Sequence, residues 1–574
     1  VLHVLALAGT LFAADSSAAQ RAVARMGAEL RREQLDRDVS ERNIAGMPLE
    51  QLPDLSFEAS TRASTKARQR LRALATVRER DLNAEERLTL RILRWQLGMD
   101  AEAAPHAWVR FTDVTPYASP LPHVVRAFAA LPLRTDADVA RYERLIGTLP
   151  TWVDGIRARL TARASRGIRI PKPEIPAVTA LVRAYIKPRA ESPFVIADTR
   201  LQSLDDAQRA RVRIAAATIE PGINTALERL AASLEGAYLG AAPERVGMGQ
   251  YPGGPAAYRW LVKLHTTTDR TPQEIHATGL REVARIEREM AAIRQQLGVT
   301  IPAAEYLEQL RHDPRFLART PDEVGERLNR FADRIRPVVS QWFSLVPRAP
   351  ANATRLDPRL EPSMTFGYYA PPSPADSMGH YFFNGSKLEE RPQISAAALI
   401  YHELVPGHHF QISLQLENAA LPPFRQAIMP TAFLEGWGDY ASGLAGEMGM
   451  YEDLYDRYGR LQMELFISCR LVVDTGMNYY GWPRDSAFRY MAARVIESPT
   501  QLGTEMLRYS VDLPAQALAY RIGALEIIRL REQARRALGP RFDIKDFHAV
   551  VLGSGALPLA VLGSKVESWI ASRP

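Results

Sequence analysis

Three of the eleven histidines fall within eight residues, in Tyr401-His402-Glu403-Leu404-Val405-Pro406-Gly407-His408-His409. The stretch before them, Ala396 to Tyr401, is apolar, so a buried helix is expected to carry a His-Glu pair into the interior. Burying those groups is costly unless something satisfies them, and a metal ion with a water does so. In many zinc hydrolases two His ligands share a helix face at i and i+4, and the Glu after the first is the general base. Here the i+4 position is Pro406. On a regular helix His408 would point to the opposite face, and His409 would lie roughly 10 Å further along the axis. Pro406 removes a helical N–H and Gly407 permits positive φ. A two-residue bulge is therefore expected to return His408 to the place that i+4 would hold. His408 is the expected second ligand, with His409 beside it or touching substrate; from sequence alone the choice between them stays open.

A third ligand is expected from Phe433-Leu434-Glu435-Gly436-Trp437-Gly438-Asp439-Tyr440, twenty-seven residues after His408. Glu435 and Asp439 share a helix face at i and i+4. Glu435 is expected to bind the metal, and Asp439 to accept the free ring N–H of a ligand histidine. One Zn2+ per chain on His402, His408 and Glu435, with Glu403 as base, is thus the predicted centre. Tyr520 is a candidate donor to a tetrahedral oxyanion, although a core role suits a Tyr in a helical run as well. Arg470 and Asp474 are spaced for an ion pair. His380, ahead of an aromatic stretch, is a candidate for facing the site.

The order His-Glu-x-x-Pro-Gly-His-His, then Glu-Gly-Trp, resembles the bacterial family catalogued as domain of unknown function 885. The likeness extends to Tyr251-Pro-Gly-Gly with Tyr258, Thr271 to Met290, Arg470-Leu-Val-Val-Asp474-Thr-Gly476, Gly481-Trp482, Ala519-Tyr520-Arg-Ile-Gly523, and Phe547-His548 with Leu557-Pro558-Leu559. That family is similar to helical gluzincins such as carboxypeptidase Taq, thimet oligopeptidase and angiotensin-converting enzyme. The resemblance implies a mostly α, large, clefted zincin-like metallopeptidase fold with a small β-sheet beside the active-site helix, and peptide substrates. One position departs: the family commonly has His where this chain has Asn478, in Asp474-Thr-Gly-Met-Asn478. Asn478 is expected to help polarise the carbonyl by a hydrogen bond, without the charge that His would bring.

The elements that must position these residues read as helices. Asn83 with Glu86, Thr271-Pro272 with Glu274, and Thr320-Pro321 with Glu323 are capping signals. They open helical runs at Leu88 to Leu97, Pro272 to Leu297 and Pro321 to Phe343. Proline-rich breaks interrupt the pattern, the largest from Pro347 to Pro374 with seven prolines. Gly379 to Asn384 behind it reads as a short aromatic strand. An extended peptide is expected to pair along its edge, near Tyr381 to Asn384.

Val4 to Ala14 is apolar, and Ser17-Ala18-Ala19 follows, which resembles a signal peptide over 1–19 without a basic start. The expected organisation is that leader, an N-terminal helical region over 20–250, and a catalytic region over 251–574 with its site helices near 395–447. Export to the periplasm or beyond follows. No later stretch approaches membrane-span length. A net charge of +7 spread over 574 residues, in mixed-sign runs such as Arg281 to Arg288, argues against a nucleic-acid surface. One cysteine, Cys469, excludes an internal disulfide and a Cys-based zinc site. A second reading is a non-catalytic zinc-binding or periplasmic binding protein. Asn478 is its one support, and the intact Glu403 speaks against it.

Overall fold

The computed structural model describes residues 17–358, 361, 367–373 and 376–573. The apolar run of the expected leader lies outside them. Ser17, at its end, caps the first helix, α1 (Ala18–Arg37), accepting from the Gln20 N–H. The chain is mostly helical, with α2 (Phe57–Ala75), α3 (Ala84–Glu102) and α4 (Asp136–Ala164) in its first part. The capping signals hold. Asn83 and Glu86 form a reciprocal box at the start of α3, and Thr271 and Glu274 do so for α6 (Pro272–Gln296), which follows α5 (Gly254–Thr266). At α7 (Pro321–Ile335), Thr320 caps as expected, but Glu323 reaches back to the Arg319 N–H instead. This helix stops short of the expected Phe343, because Pro337 follows in a 3-10 turn, Arg336–Val338.

A small sheet interrupts the helices. Its strands are β1 (Ala351–Arg355), β2 (Tyr368–Ala370) and β3 (Gly379–Phe383), in the order β1-β3-β2. β1 runs parallel to β3, with Ala353 opposite Tyr381, and β2 runs antiparallel, with Tyr369 opposite Tyr381. The aromatic strand is thus central, and its backbone groups are taken on both sides. This corrects the expectation of an open edge there: a peptide cannot add along β3.

Beyond the sheet come α8 (Ala396–Glu403), α9 (His408–Glu417), α10 (Thr431–Glu447), α11 (Leu454–Asn478) and α12 (Ala519–Leu538). Glycines set how closely they cross. A Cβ on Gly436 of α10 would lie 2.5 Å from the Gly523 backbone of α12, and one on Gly523 would lie 2.0 Å from the Ala432 oxygen. Gly279 plays the same part between α6 and α11, against Leu471. One apolar core surrounds the motif and joins Tyr401, Leu404, Phe410 and Trp437 to Leu74, Leu90 and their neighbours from α2 and α3. A second joins much of the N-terminal half to Trp260, Leu471 and Leu518. Both cores cross the boundary suggested near residue 250. Cys469 is buried, and burial pushes its thiol well up, as suits an inert side chain. No helix among the described residues is long and apolar enough to cross a membrane.

Candidate metal centre

The chain breaks between α8 and α9 rather than bulging within one helix. Leu404 leaves helical geometry at φ −107°, ψ −100°, the Val405–Pro406 bond is cis, and Gly407 sits at φ −79°, ψ −130°. Gly407 is therefore not used for positive φ. It is used for closeness, because a Cβ there would lie 1.8 Å from the His402 carbonyl oxygen. The Trp437 indole N–H donates to the Pro406 oxygen at 2.8 Å and ties this link to α10. Gly407→Ala is expected to cost on the order of 3 kcal/mol, since the added methyl meets backbone rather than a movable side chain. A denaturant melt checks this; an unchanged midpoint would remove the role assigned to Gly407.

The break starts α9 at His408 and faces its ring to His402, with ring centroids 4.6 Å apart and planes at 83°. Glu435 meets both from α10. Its Oε2 lies 3.7 Å from His402 Nε2 and 3.3 Å from His408 Nε2. The first is too long for a hydrogen bond, the second is not aligned as one, and Oε2 is buried without a hydrogen-bond partner. Ligands bound at 2.0–2.1 Å around one tetrahedral zinc stand ~3.3 Å from each other, so these separations and donor types fit such an ion. His402, His408 and Glu435 form a group that could hold a metal, with ligand atoms all within 4.8 Å of one another. Gly438 makes room for it, because a Cβ there would lie 2.7 Å from the His402 ring.

Glu435 is coupled electrostatically to the imidazoles beside it. Burial would raise the Glu435 carboxyl, but the two imidazoles outweigh it and hold it well below the usual range. Burial would lower His408, and Glu435 reverses that and raises it. Glu403 is half-buried, and burial raises its carboxyl, opposed by His408 and His402. The sheet stands beside the motif, since a Cβ on Gly379 of β3 would lie 2.4 Å from His409 Nδ1.

The other candidates separate. The Tyr520 ring stacks on His402 at 6.0 Å and 18°, with the Arg470 guanidinium 4.6 Å from it on the same ring system. His409 turns away: its Nε2 meets the Ala349 oxygen at 2.9 Å, and its Nδ1 meets the Tyr369 hydroxyl at 3.0 Å. Asp439 does not accept from a ligand histidine, and the Nδ1 atoms of His402 and His408 are buried without hydrogen-bond partners. Asp439 accepts instead from Arg521 at 3.1 Å, with Arg460 at 3.8 Å. Those buried guanidinium groups require a counter-charge, and Gly438 is the residue that faces His402. Arg470 does not pair with Asp474. It donates to the Tyr509 hydroxyl at 2.8 Å and to Glu505 at 3.4 Å.

Asn478 is also corrected. It is fully buried, donates to the Asp474 and Tyr509 carbonyl oxygens at 3.0 and 2.9 Å, and accepts from the Met248 N–H at 3.0 Å. With both ends of its amide engaged, it is a core bracket and not an oxyanion donor. His380 is held on β3 by Asn352 at 2.8 Å and Asp376 at 3.0 Å, outside the trio. Sequence reading missed Gln516, whose Nε2 donates to Glu435 Oε1 at 3.3 Å. Nothing in its surroundings, Leu513-Pro-Ala-Gln516, marks it as such.

Residues 40–566 match the profile of a family described as "Bacterial protein of unknown function (DUF885)". A crystal structure of a "putative lipoprotein" from Colwellia psychrerythraea is similar at 25% identity with a TM-score of 0.87, covering 96% of this chain and 99% of that one. Another "putative lipoprotein", of unknown function, from Shewanella oneidensis shares the fold at 16% identity and a TM-score of 0.70, with the same coverage. No curated protein matches the chain.

Proposed function

The chain belongs to the bacterial DUF885 family, and we propose that it is a zinc-dependent hydrolase of peptides, acting outside the cytoplasm. The observation that carries this reading is the convergence of His402, His408 and Glu435 beside a half-buried Glu403 that is not one of the ligand group. A site built only for structure is usually closed by four protein ligands, whereas three are found among the described residues. When bound, zinc supplies a Lewis acid and lowers the pKa of a water towards ~7. Glu403 accepts a proton from the attacking water and returns it to the leaving amine. Tyr520, stacked on His402, donates its O–H to the oxygen on which charge develops.

Peptides as the substrate class come from the likeness to gluzincins. A location at the cell envelope is supported by the apolar run Val4 to Ala14 and by relatives described as lipoproteins. The alternative of a non-catalytic zinc-binding protein rested on Asn478, whose amide is occupied within the core. Zinc-loaded protein incubated with a mixed peptide library is expected to give new termini by mass spectrometry. A chelator should abolish them and added zinc restore them. A loaded protein that leaves the library intact would sink the hydrolase reading.

A further inference from the structure

Gln516 stands between the metal trio and a half-buried arginine. Its Oε1 accepts from Arg508 at 2.8 Å, and its Nε2 donates to Glu435 Oε1 at 3.3 Å. A guanidinium can only donate and a carboxylate can only accept, so the amide has one workable orientation. Arg508 is itself braced by both oxygens of Glu505, at 3.2 and 3.3 Å.

The turn that presents Gln516 is tethered. Ala515 takes a left-handed conformation at φ +70°, unusual for a residue with a Cβ. Its N–H donates to both oxygens of Asp474, at 3.2 and 3.0 Å. Asp474 is buried on α11 and also accepts from the Tyr258 hydroxyl at 2.6 Å. A strained backbone held by a buried carboxylate is a device for aiming the next side chain, and here the next side chain is Gln516.

The two oxygens of Glu435 then have different partners. Oε1 is held by Gln516, and Oε2, without a hydrogen bond, faces His402 and His408. We propose that Gln516 is a positioning residue for the metal ligand Glu435: it fixes the carboxylate so that Oε2 alone is offered to the ion, and Arg508 fixes Gln516. This rests on the reading that the trio holds zinc. Without Gln516 the carboxylate is free to rotate or to offer both oxygens.

The test is zinc affinity of the full chain, read by competition with a coloured chelator. Gln516→Met keeps the length and loses the amide. It is expected to weaken zinc binding ~10–100-fold, as the loss of an outer hydrogen bond to a ligand does. Gln516→Glu still accepts from Arg508 but cannot donate to Glu435, and is expected to weaken it at least as much. Each variant also loses a hydrogen bond to Arg508 or Glu435, so a modest fall of the metal-free midpoint is expected in both, and the weakened zinc binding is the diagnostic. A purely structural Gln516 would give the lower metal-free midpoint with unchanged zinc affinity, and would overturn the proposal. Should Gln516→Met not fold, Gln516→Ala serves, because the turn is anchored through the Ala515 backbone. If the unaltered protein binds no zinc, the parent reading falls and this one with it. If it binds zinc and the folded variants bind equally well, this inference alone falls.

Discussion

Glu403→Gln is expected to keep its zinc and to lose turnover by ~10²–10⁴-fold, the usual contribution of general acid–base catalysis. The amide preserves the shape of the side chain and one hydrogen-bonding oxygen, but it cannot take a proton from water at neutral pH. Glu403 follows a ligand in sequence, yet the ligand group consists of His402, His408 and Glu435. Its removal as a base therefore leaves the ion's donors untouched. Stability should not fall either, because burial already disfavours the charged carboxyl here and a neutral amide is cheaper to bury. Zinc content per chain, kcat/KM on the best-cleaved peptide and the melting midpoint together decide the matter. Loss of zinc would make Glu403 a ligand and require the centre to be redrawn. Full activity with zinc retained would mean that the hydrolytic centre lies elsewhere.

How much of this centre was legible in sequence depended on how local the cause was. The trio was legible, because an apolar run delivers His402 and because Pro406-Gly407 forbids the regular helix that would separate the histidines. Where the motif breaks was legible; how it breaks was not. Gly407 is needed for its closeness to the His402 oxygen, a tertiary distance that no single-sequence pattern carries. The capping boxes of α3 and α6 are equally local and held. The sheet was half legible. β3 showed its aromatic content, but β2 has three residues, below the length at which a period of two is visible, and β1, as long as β3, lies in a proline-rich stretch that hides it. Pairing partners therefore stayed hidden, and with them the fact that β3 is central. Asp439 and Asn478 failed for a different reason. Spacing tells which face a side chain shares but not which buried cation or backbone group competes for it, and Arg521 and the Met248 N–H won those contests. Gln516 lay beyond reach because its contact with Glu435 spans 81 residues.

His408→Ala and His409→Ala should part company, although the residues are neighbours. His408 is expected to be a ligand. Loss of an outer partner costs metal sites ~10–100-fold, so loss of a ligand should exceed ~100-fold in zinc affinity. Zinc should then no longer raise the melting midpoint of His408→Ala, because stabilisation by a ligand grows only with its concentration relative to Kd. His409 has other work. It bridges the Ala349 oxygen ahead of β1 to the Tyr369 hydroxyl on β2, and so fastens the sheet to α9. His409→Ala strands those half-buried groups and is expected to cost about 1 kcal/mol of stability, while the zinc-induced rise in midpoint persists. Metal analysis and melts with and without zinc read both effects on the same samples. If His409→Ala alone loses the metal, the break between α8 and α9 does not do what its geometry says. If neither variant loses it, the ligand set is not the one that converges on Glu435.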